Sequence, residues 1–203
     1  GNAMRIAGVD AELLDRNDVM ALVPHLDYDN ARFPVRGGLL QRRGGTVRHD
    51  AVAWGYARAA DALGVDILQG CEVTGIRVEH GRVTGVETTR GPIRAGKVGL
   101  AAAGNSSRVA AMAGLRLPIE THVLQAFVSE GVKPLIDTVV TFGAGHFYIS
   151  QSDKGGLVFG GDIDGYNSYA QRGNLSLVEH VMEEGMALMP MLGRLRVLRS
   201  WGG

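Results

Sequence analysis

The chain has 203 residues, 45% of them hydrophobic, so it is long and apolar enough to bury a core, which excludes a disordered chain. Lys plus Arg and Asp plus Glu number 21 each, and this zero formal net charge gives no general attraction to a nucleic acid or an anionic membrane. The single cysteine, Cys71, excludes an internal disulfide and favours a reducing, cytoplasmic compartment. Cys71 has no partner at metal-binding spacing, so we expect no metal site, and no apolar run is long enough to span a bilayer.

The first part of the chain predicts one short helix. Residues 1–8, which begin GNAM, are set aside as a lead-in of the kind that cloning leaves behind. Within residues 9–47, Asp15 or Asn17 is the candidate N-cap of a helix that Pro24 ends. We interpret this part as the start of a second domain or of an interface segment.

Four arginines lie between Arg36 and Arg48, at positions 36, 42, 43 and 48. Residues 31–45 are predicted to be a loop or a short strand, punctuated by Pro34 and paired glycines. The arginines are therefore either a solvated loop surface or a site for an anion.

The clearest helix is predicted for residues 48–63, because apolar side chains recur there at three- and four-residue spacing and define one buried face. The members of that face are Val52, Tyr56, Ala59, Ala60 and Leu63. Gly64 supplies a stop, and residues 65–70, VDILQG, then predict a short strand.

Residues 71–104 predict a three-stranded meander, because apolar runs alternate with the turn sequences EHG and TRGP. The last part of this stretch, KVGLAAAG at 97–104, predicts a further, apolar strand. A helix of small residues is predicted at 106–115, with Ser106 as its candidate N-cap.

The second half of the chain predicts an antiparallel sheet closed by a helix. The predicted strands are 119–130, 138–143, 145–153 and 155–164, and the helix is 175–190. The fold class is therefore α/β merging into α+β.

The stretch that ends in AAAGNSSRVA resembles the middle of flavin-dependent amine oxidases of the D-amino-acid oxidase superfamily. The strings GGLLQRRGGTVRHDAVAWGYARAADALGVDI, GHFYISQSDKGGLVFGGDIDGYNSYAQRG and LRSWGG resemble, more narrowly, the beta-subunit family of heterotetrameric sarcosine oxidases. The resemblance covers almost the whole chain after residue 8. It implies part of a Rossmann-like FAD-binding domain with a β-meander at 48–117, and an antiparallel substrate domain at 118–203.

This resemblance implies an enzyme that oxidatively demethylates sarcosine to glycine. In the family, FAD takes a hydride from the substrate, the electrons pass to FMN, and O2 accepts them. The implied partners are alpha, gamma and delta subunits, with tetrahydrofolate on the alpha subunit able to capture the one-carbon unit. The GxGxxG fingerprint for the FAD pyrophosphate is missing from the chain, so we expect an internal fragment that is inactive alone.

The resemblance also implies candidate site residues. His49, in RHDAVAWGYARA, matches the histidine that carries covalent FMN in the family. Val73 matches a backbone contact to the FAD adenine, and Gly104 is a second FAD candidate, because glycine permits close approach of the backbone. Tyr148, in HFYIS, matches a substrate-site tyrosine of the monomeric relatives, and Asp162 stands where those relatives have a histidine, which leaves the catalytic base unassigned.

Two alternatives remain open. The first is another FAD-dependent amine or amino-acid oxidase, or an enzyme like dimethylglycine dehydrogenase, in which His49 is an ordinary polar residue at a helix start. The second is a catalytically silent module for subunit interaction. His146 and Lys154 are interpreted as surface residues in each case.

Overall fold

The computed structural model describes residues 1–30 and 32–203; residue 31, in the predicted loop or short strand of 31–45, lies outside them. The helices are Asn2–Ile6 (α1), Arg16–Leu22 (α2), His49–Ala62 (α3), Ser106–Ala111 (α4) and Leu175–Leu188 (α5). The strands are Glu12–Asp15 (β1), Gly37–Leu40 (β2), Val73–Glu79 (β3), Arg82–Thr88 (β4), Ile93–Arg94 (β5), Leu124–Gly131 (β6), Val140–Phe142 (β7), Phe147–Gln151 (β8), Gly156–Ile163 (β9) and Val197–Gly202 (β10). Residues 1–46 and 122–203 form one unit, the sheet unit, and residues 47–121 form a second, the meander unit.

An antiparallel five-stranded sheet, in the order β10-β6-β9-β8-β7, forms the centre of the sheet unit. Phe127, Phe159 and Ile149 lie opposite one another on β6, β9 and β8 and form one buried row. The Phe159 ring centroid lies 5.5 Å from that of Phe127 and 6.1 Å from that of Phe147. Because side chains alternate along a strand, the intervening residues lie on the other side of the sheet, here called the open face.

The four strands predicted in the second half of the chain are confirmed as β6 to β9, each shorter than its predicted range. Strand β10 was not among the predicted elements. It pairs with β6 and supplies one edge of the sheet, so residues 198–202 of the string LRSWGG belong to the sheet.

Helix α5 covers the buried face of the sheet. Its N-cap is Asn174, whose side-chain oxygen accepts a hydrogen bond from the Leu177 N–H at 2.7 Å. Leu177 and Val181, four residues apart, are both buried. The helix predicted at 175–190 is confirmed except at its end, because Pro190 disfavours helical backbone in the residue before it.

The N-terminal part of the sheet unit contains the hairpin of β1 and β2, with α2 beginning where β1 ends. Asp15 is the N-cap of α2, which decides between the two predicted candidates. Its carboxylate accepts from the Asp18 N–H at 2.9 Å, and the Asp18 carboxylate accepts from the Asp15 N–H at 3.3 Å. This reciprocal capping box satisfies two backbone donors of the first turn.

The segment after α2 is tied to the end of α5. The Asp27 N–H donates to the Leu188 carbonyl at 2.8 Å. Arg32 donates from Nη2 to Oε1 of Glu184 at 2.6 Å, and this pair joins residues 152 positions apart. Glu184 is buried, so the ion pair is shielded on one side from solvent.

The meander unit contains the predicted meander, with β3, β4 and β5 paired antiparallel in that order. It buries very little: of its described residues, Ala110 is the one buried hydrophobic side chain. The helix predicted at 48–63 is confirmed as α3, but the prediction of its buried face is wrong, because Val52, Tyr56 and Leu63 are all exposed. The apolar pattern is present, and no part of the described chain covers it.

Two predicted strands in this unit are wrong. Residues 65–70 and 97–104 form no strand, although their composition favours one. A strand requires a neighbour that completes its hydrogen-bond ladder, and no strand of the described chain pairs with either stretch. The helix predicted at 106–115 ends earlier, at Ala111. Its N-cap is Asn105 and not the predicted Ser106, because a 3-10 turn at Ala103–Asn105 leads directly into α4.

Replacement of Phe159 by Ala is expected to lower the free energy of unfolding by about 3–5 kcal/mol, since it leaves a cavity between two other rings. Tyr166→Ala, which truncates an exposed ring, serves as the control and is expected to cost about 0.5 kcal/mol or less. Urea unfolding followed by circular dichroism measures both. Equal losses would contradict the assignment of Phe159 to the core row.

Candidate functional site

A cavity of about 470 Å³ lies in the meander unit, between the meander, residues 98–102 and α4. Its apolar wall is formed by Val73, Ile76, Val86, Leu100, Val109 and Met112. Ligand pockets in proteins commonly measure about 300–1,000 Å³ and are mostly apolar, with a few polar groups that set orientation. The cavity therefore fits a flat, largely apolar ring system such as an adenine, held between side chains and approached by backbone.

Of the two residues that the sequence analysis connects with FAD, the cavity contains Val73 and not Gly104. Val73 and Ala102 both line it. Gly104 does not line it: its carbonyl accepts a hydrogen bond from Thr121 Oγ1 at 2.6 Å, and an added Cβ would lie 3.2 Å from the Thr121 methyl group. Gly104 thus permits the close packing of the loop against Thr121.

His49 is the first residue of α3, and its side chain is exposed. The next residue, Asp50, accepts from Arg48 Nη2 at 3.1 Å and from the Ala51 N–H at 2.9 Å. The hydrogen bond from Arg48, followed by that from Ala51, holds the pKa of the Asp50 carboxyl below its usual range. A fixed negative charge therefore sits beside an accessible imidazole.

The arginine run is largely neutralised by carboxylates. Arg42 makes a bidentate pair with Glu12, with Nε–Oε1 and Nη2–Oε2 distances of 2.7 and 2.8 Å. Arg43 Nε lies 2.8 Å from Asp10 Oδ2. The hydrogen bond from Arg42 lowers the pKa of Glu12. These pairs favour the solvated-surface interpretation of the run over the anion site.

Tyr148 lies on β8 between two core residues, so its side chain is on the open face of the sheet. It faces Gly160 on β9, and an added Cβ at Gly160 would lie 2.9 Å from the Tyr148 hydroxyl oxygen. The phenol therefore lies against the sheet in a space that exists because residue 160 has no side chain. Burial raises the pKa of the Tyr148 hydroxyl.

Asp162 interrupts the ladder between β6 and β9, where a register shift leaves it without a partner on β6. Both Asp162 and His146 have left-handed backbone, with φ of 52° and 45°. Their side chains are 3.7 Å apart, and His180 on α5 lies 3.4 Å from the other carboxylate oxygen of Asp162. The predicted surface position of His146 is confirmed, as is that of Lys154. The sequence analysis missed His180, since no spacing along the chain connects it with Asp162.

Of the residues that the structure describes, no three His, Cys, Asp or Glu side chains are grouped so as to hold a metal ion. In the same residues, every helix is too short or too polar to cross a bilayer.

Comparison with known proteins places these features in a family. A family model described as FAD dependent oxidoreductase (DAO) matches residues 2–203. The chain is 78% identical over 203 residues to the sarcosine oxidase subunit beta of Rhizobium meliloti, which covers 100% of this chain and 49% of that protein. It is 52% identical over 201 residues to the protein of the same name from Rhodobacter capsulatus, covering 99% and 49%. The chain spans about half the length of these curated relatives.

Among solved structures, L-proline dehydrogenase from P. horikoshii superposes with a TM-score of 0.88 at 27% sequence identity. The match covers 100% of this chain and 54% of that one.

Tyr148 is half-buried and Tyr28 is buried, and burial raises the pKa values of both phenols above 10.0, which predicts a loss of stability at alkaline pH. As pH rises through that value, the unfolded chain loses phenol protons that the folded chain keeps, so the free energy of unfolding falls. Tyr148→Phe removes one of the two contributions and is expected to make this fall shallower between about pH 9 and 11. Urea unfolding at a series of pH values measures the slope, and an unchanged slope would contradict the burial of Tyr148.

Proposed function

Because this chain belongs to the FAD-dependent oxidoreductase (DAO) family, we propose that it is part of a beta subunit that oxidises sarcosine to glycine. The observation that carries the proposal is the 78% identity, over all 203 residues, to a sarcosine oxidase subunit beta. The predicted fold class, α/β merging into α+β with an antiparallel sheet, is confirmed by the family match and by the topology.

The cavity beside Val73 supports a contribution of this chain to FAD binding in the complete beta subunit. Its apolar wall would suit an adenine ring, and Val73 and Ala102 both line the cavity that would hold it. FAD, when bound, supplies the acceptor for the two electrons and the hydrogen that leave the N-methyl carbon of the substrate. Water adds to the resulting imine, which separates into glycine and formaldehyde.

His49 is the residue we assign to covalent FMN. Its exposed ring offers a nitrogen lone pair when neutral, and the C–N bond it would form to a flavin methyl carbon would replace a C–H bond there, with the proton passing to solvent and the two electrons passing through the flavin to O2. His49 is the first residue of α3, and the ion pair between its two neighbours, Arg48 and Asp50, lies at the same helix start. The ring is therefore attached to a regular element and not to a loop. FMN, when bound, supplies a relay for electrons on their way to O2.

Tyr148 contributes a hydrogen-bond donor to the substrate side. Because its pKa is raised, the hydroxyl keeps its proton at neutral pH and can donate to a carboxylate or steer a proton. Its position over Gly160 fixes where that donor sits on the open face. This role is assigned without naming a catalytic base.

Partners are expected because the relatives are named as subunits. We propose alpha, gamma and delta subunits, with tetrahydrofolate held by the alpha subunit. The exposed Val52 and Tyr56 of α3 support a protein interface on that helix. Since the chain carries no GxGxxG fingerprint, the purified chain alone is expected to be colourless and inactive.

The FMN assignment predicts a covalent flavin on the peptide that contains His49. The measurement is mass spectrometry of a digest of the complete beta subunit, produced with its partner subunits and denatured before digestion. His49→Asn is expected to abolish the adduct while non-covalent FAD is retained. His80→Asn, at an exposed turn between β3 and β4, is the matched control and is expected to keep the adduct.

An active, yellow enzyme without an adduct at His49 would exclude covalent FMN there and favour a single-FAD amine oxidase. A purified wild-type complex that retains flavin but does not oxidise sarcosine would overturn the proposed function.

The FAD assignment predicts that Ala102→Leu lowers the FAD content of the complete beta subunit, produced with its partner subunits, at least tenfold. The larger side chain adds volume inside the cavity of the meander unit. The same change at the exposed Ala170 is the control and is expected to leave FAD content unchanged. FAD released by denaturation is quantified by fluorescence. Full FAD content in Ala102→Leu would contradict the use of this cavity.

A further inference from the structure

Residues 165–173 form a surface loop, here called the strap, that leads from the end of β9 to the start of α5. All of its residues are exposed except Ser168, which is half-buried. The two residues that flank the strap, Asp164 and Asn174, are joined by a hydrogen bond from Asn174 Nδ2 to Asp164 Oδ1. The strap is therefore an Ω-loop, a compact surface loop whose ends lie close together.

The first end of the strap is fixed by hydrogen bonds. Asp164 is buried, and its N–H donates to the Val123 carbonyl at 3.0 Å. The carbonyl oxygen of Asp164 accepts from Nδ1 of His122 at 2.8 Å. Because a carbonyl oxygen can only accept, Nδ1 is the nitrogen that carries the proton here. The segment before β6 thus holds the point at which the chain leaves β9.

The second end of the strap lies directly on the sheet. Gln125 and Gly202 are opposite each other on β6 and β10. An added Cβ at Gly202 would lie 2.9 Å from the Arg172 carbonyl carbon, and one at Gly173 would collide with the Gln125 amide. The strap therefore touches two neighbouring strands, and each contact requires a glycine.

This contact leaves a polar group without a partner. Gln125 is 3% exposed, and among the described residues nothing donates a hydrogen bond to its Oε1. The Gln151 amide oxygen, in contrast, accepts from the Leu135 N–H at 2.7 Å. A buried amide oxygen without a donor has lost its water and gained no bond in return. If the end of the strap lifts, water reaches Gln125, so opening recovers hydration that the closed position gives up.

We propose that the strap opens and closes at its second end: residues 172 and 173 leave Gln125 and Gly202 while Asp164 stays fixed. An added Cβ at Gly165 meets no other atom within 4 Å, so the chain has room to turn at the fixed end. The sheet and α5 keep their structure during this opening, which is local. The inference goes beyond the proposed function and does not depend on it, because it concerns a motion of the fold and not the reaction.

Limited digestion with trypsin tests the opening, because cleavage after Arg172 requires its neighbours to leave the sheet, and its rate follows the population of the open state. The complete beta subunit with its partner subunits is digested, and the fragments are quantified by mass spectrometry. Gln125→Leu keeps a similar volume without the amide and is expected to slow this cleavage about tenfold. Gln41→Leu, the same change at an exposed position, is the control and is expected to leave the rate unchanged.

A second variant shifts the strap in the other direction. Gly173→Ala adds a methyl group that collides with Gln125, so cleavage after Arg172 is expected to become faster. Gly143→Ala, where an added Cβ meets no other atom within 4 Å, is its control. Each rate is divided by that of the same variant in urea, which removes the effect of the new residue on trypsin itself. Gly173→Ala decides the question if Gln125→Leu fails to assemble.

A folded wild-type complex that trypsin does not cut after Arg172 would overturn the inference. Rates in Gln125→Leu and Gly173→Ala equal to the wild-type rate would do the same. Cleavage after Arg43, on an exposed turn of the same unit, is followed in each digest. Parallel changes at Arg172 and Arg43 would also overturn the inference, since they would reflect a general loss of structure. Sarcosine oxidation, measured separately, tests the proposed function alone.

Discussion

The alternation of side chains across the five-stranded sheet determines which residues of the sheet unit are buried under α5 and which lie on the open face. Along β8 and β9, one residue points under α5 and the next points to the open face, so a one-residue shift in register would exchange the two sets. The buried set contains the Phe127, Phe159 and Ile149 row, whose burial holds the register. Because that row is fixed, Tyr148 and Gly160 are fixed on the other side. The buried aromatic row and the proposed substrate-side tyrosine are thus placed on opposite faces of the sheet by one geometric rule.

Elements that find their packing partner within the chain could be predicted from the sequence. The strands β6 to β9 and the helix α5 follow from period-two and helical patterns, because each pattern corresponds to a surface that the chain itself buries. The errors share a cause. Residues 65–70 and 97–104 have the composition of strands, and α3 has the pattern of a buried helix, but nothing in the described chain pairs with or covers them. Composition indicates that a stretch can form a strand or the buried face of a helix. The stretch does so only where another part of the chain pairs with it or covers it.

Some features of the candidate site could be predicted from the sequence, and others depend on contacts that only the fold creates. Val73 and Ala102 line one cavity although they are distant in sequence, and only Val73 was connected with FAD, through a family resemblance. The approach of His180 to Asp162 depends on how α5 crosses the sheet, and no local pattern encodes it. The arginine run resembles an anion site in the sequence, but in the structure Arg42 and Arg43 are paired with Glu12 and Asp10.

The ion pair between Arg32 and Glu184 also sets an order of events during synthesis. The two residues are 152 positions apart, and the whole meander unit lies between them in the chain. At a translation rate of about 5–20 residues per second, the N-terminal segment waits about 8–30 seconds for its partner helix to leave the ribosome. During that interval the contacts available to this segment are those within α2 and the β1–β2 hairpin, such as the Asp15–Asp18 capping box. Because a short helix and an isolated hairpin are only marginally stable in water, this segment acquires its final packing only when α5 has been made.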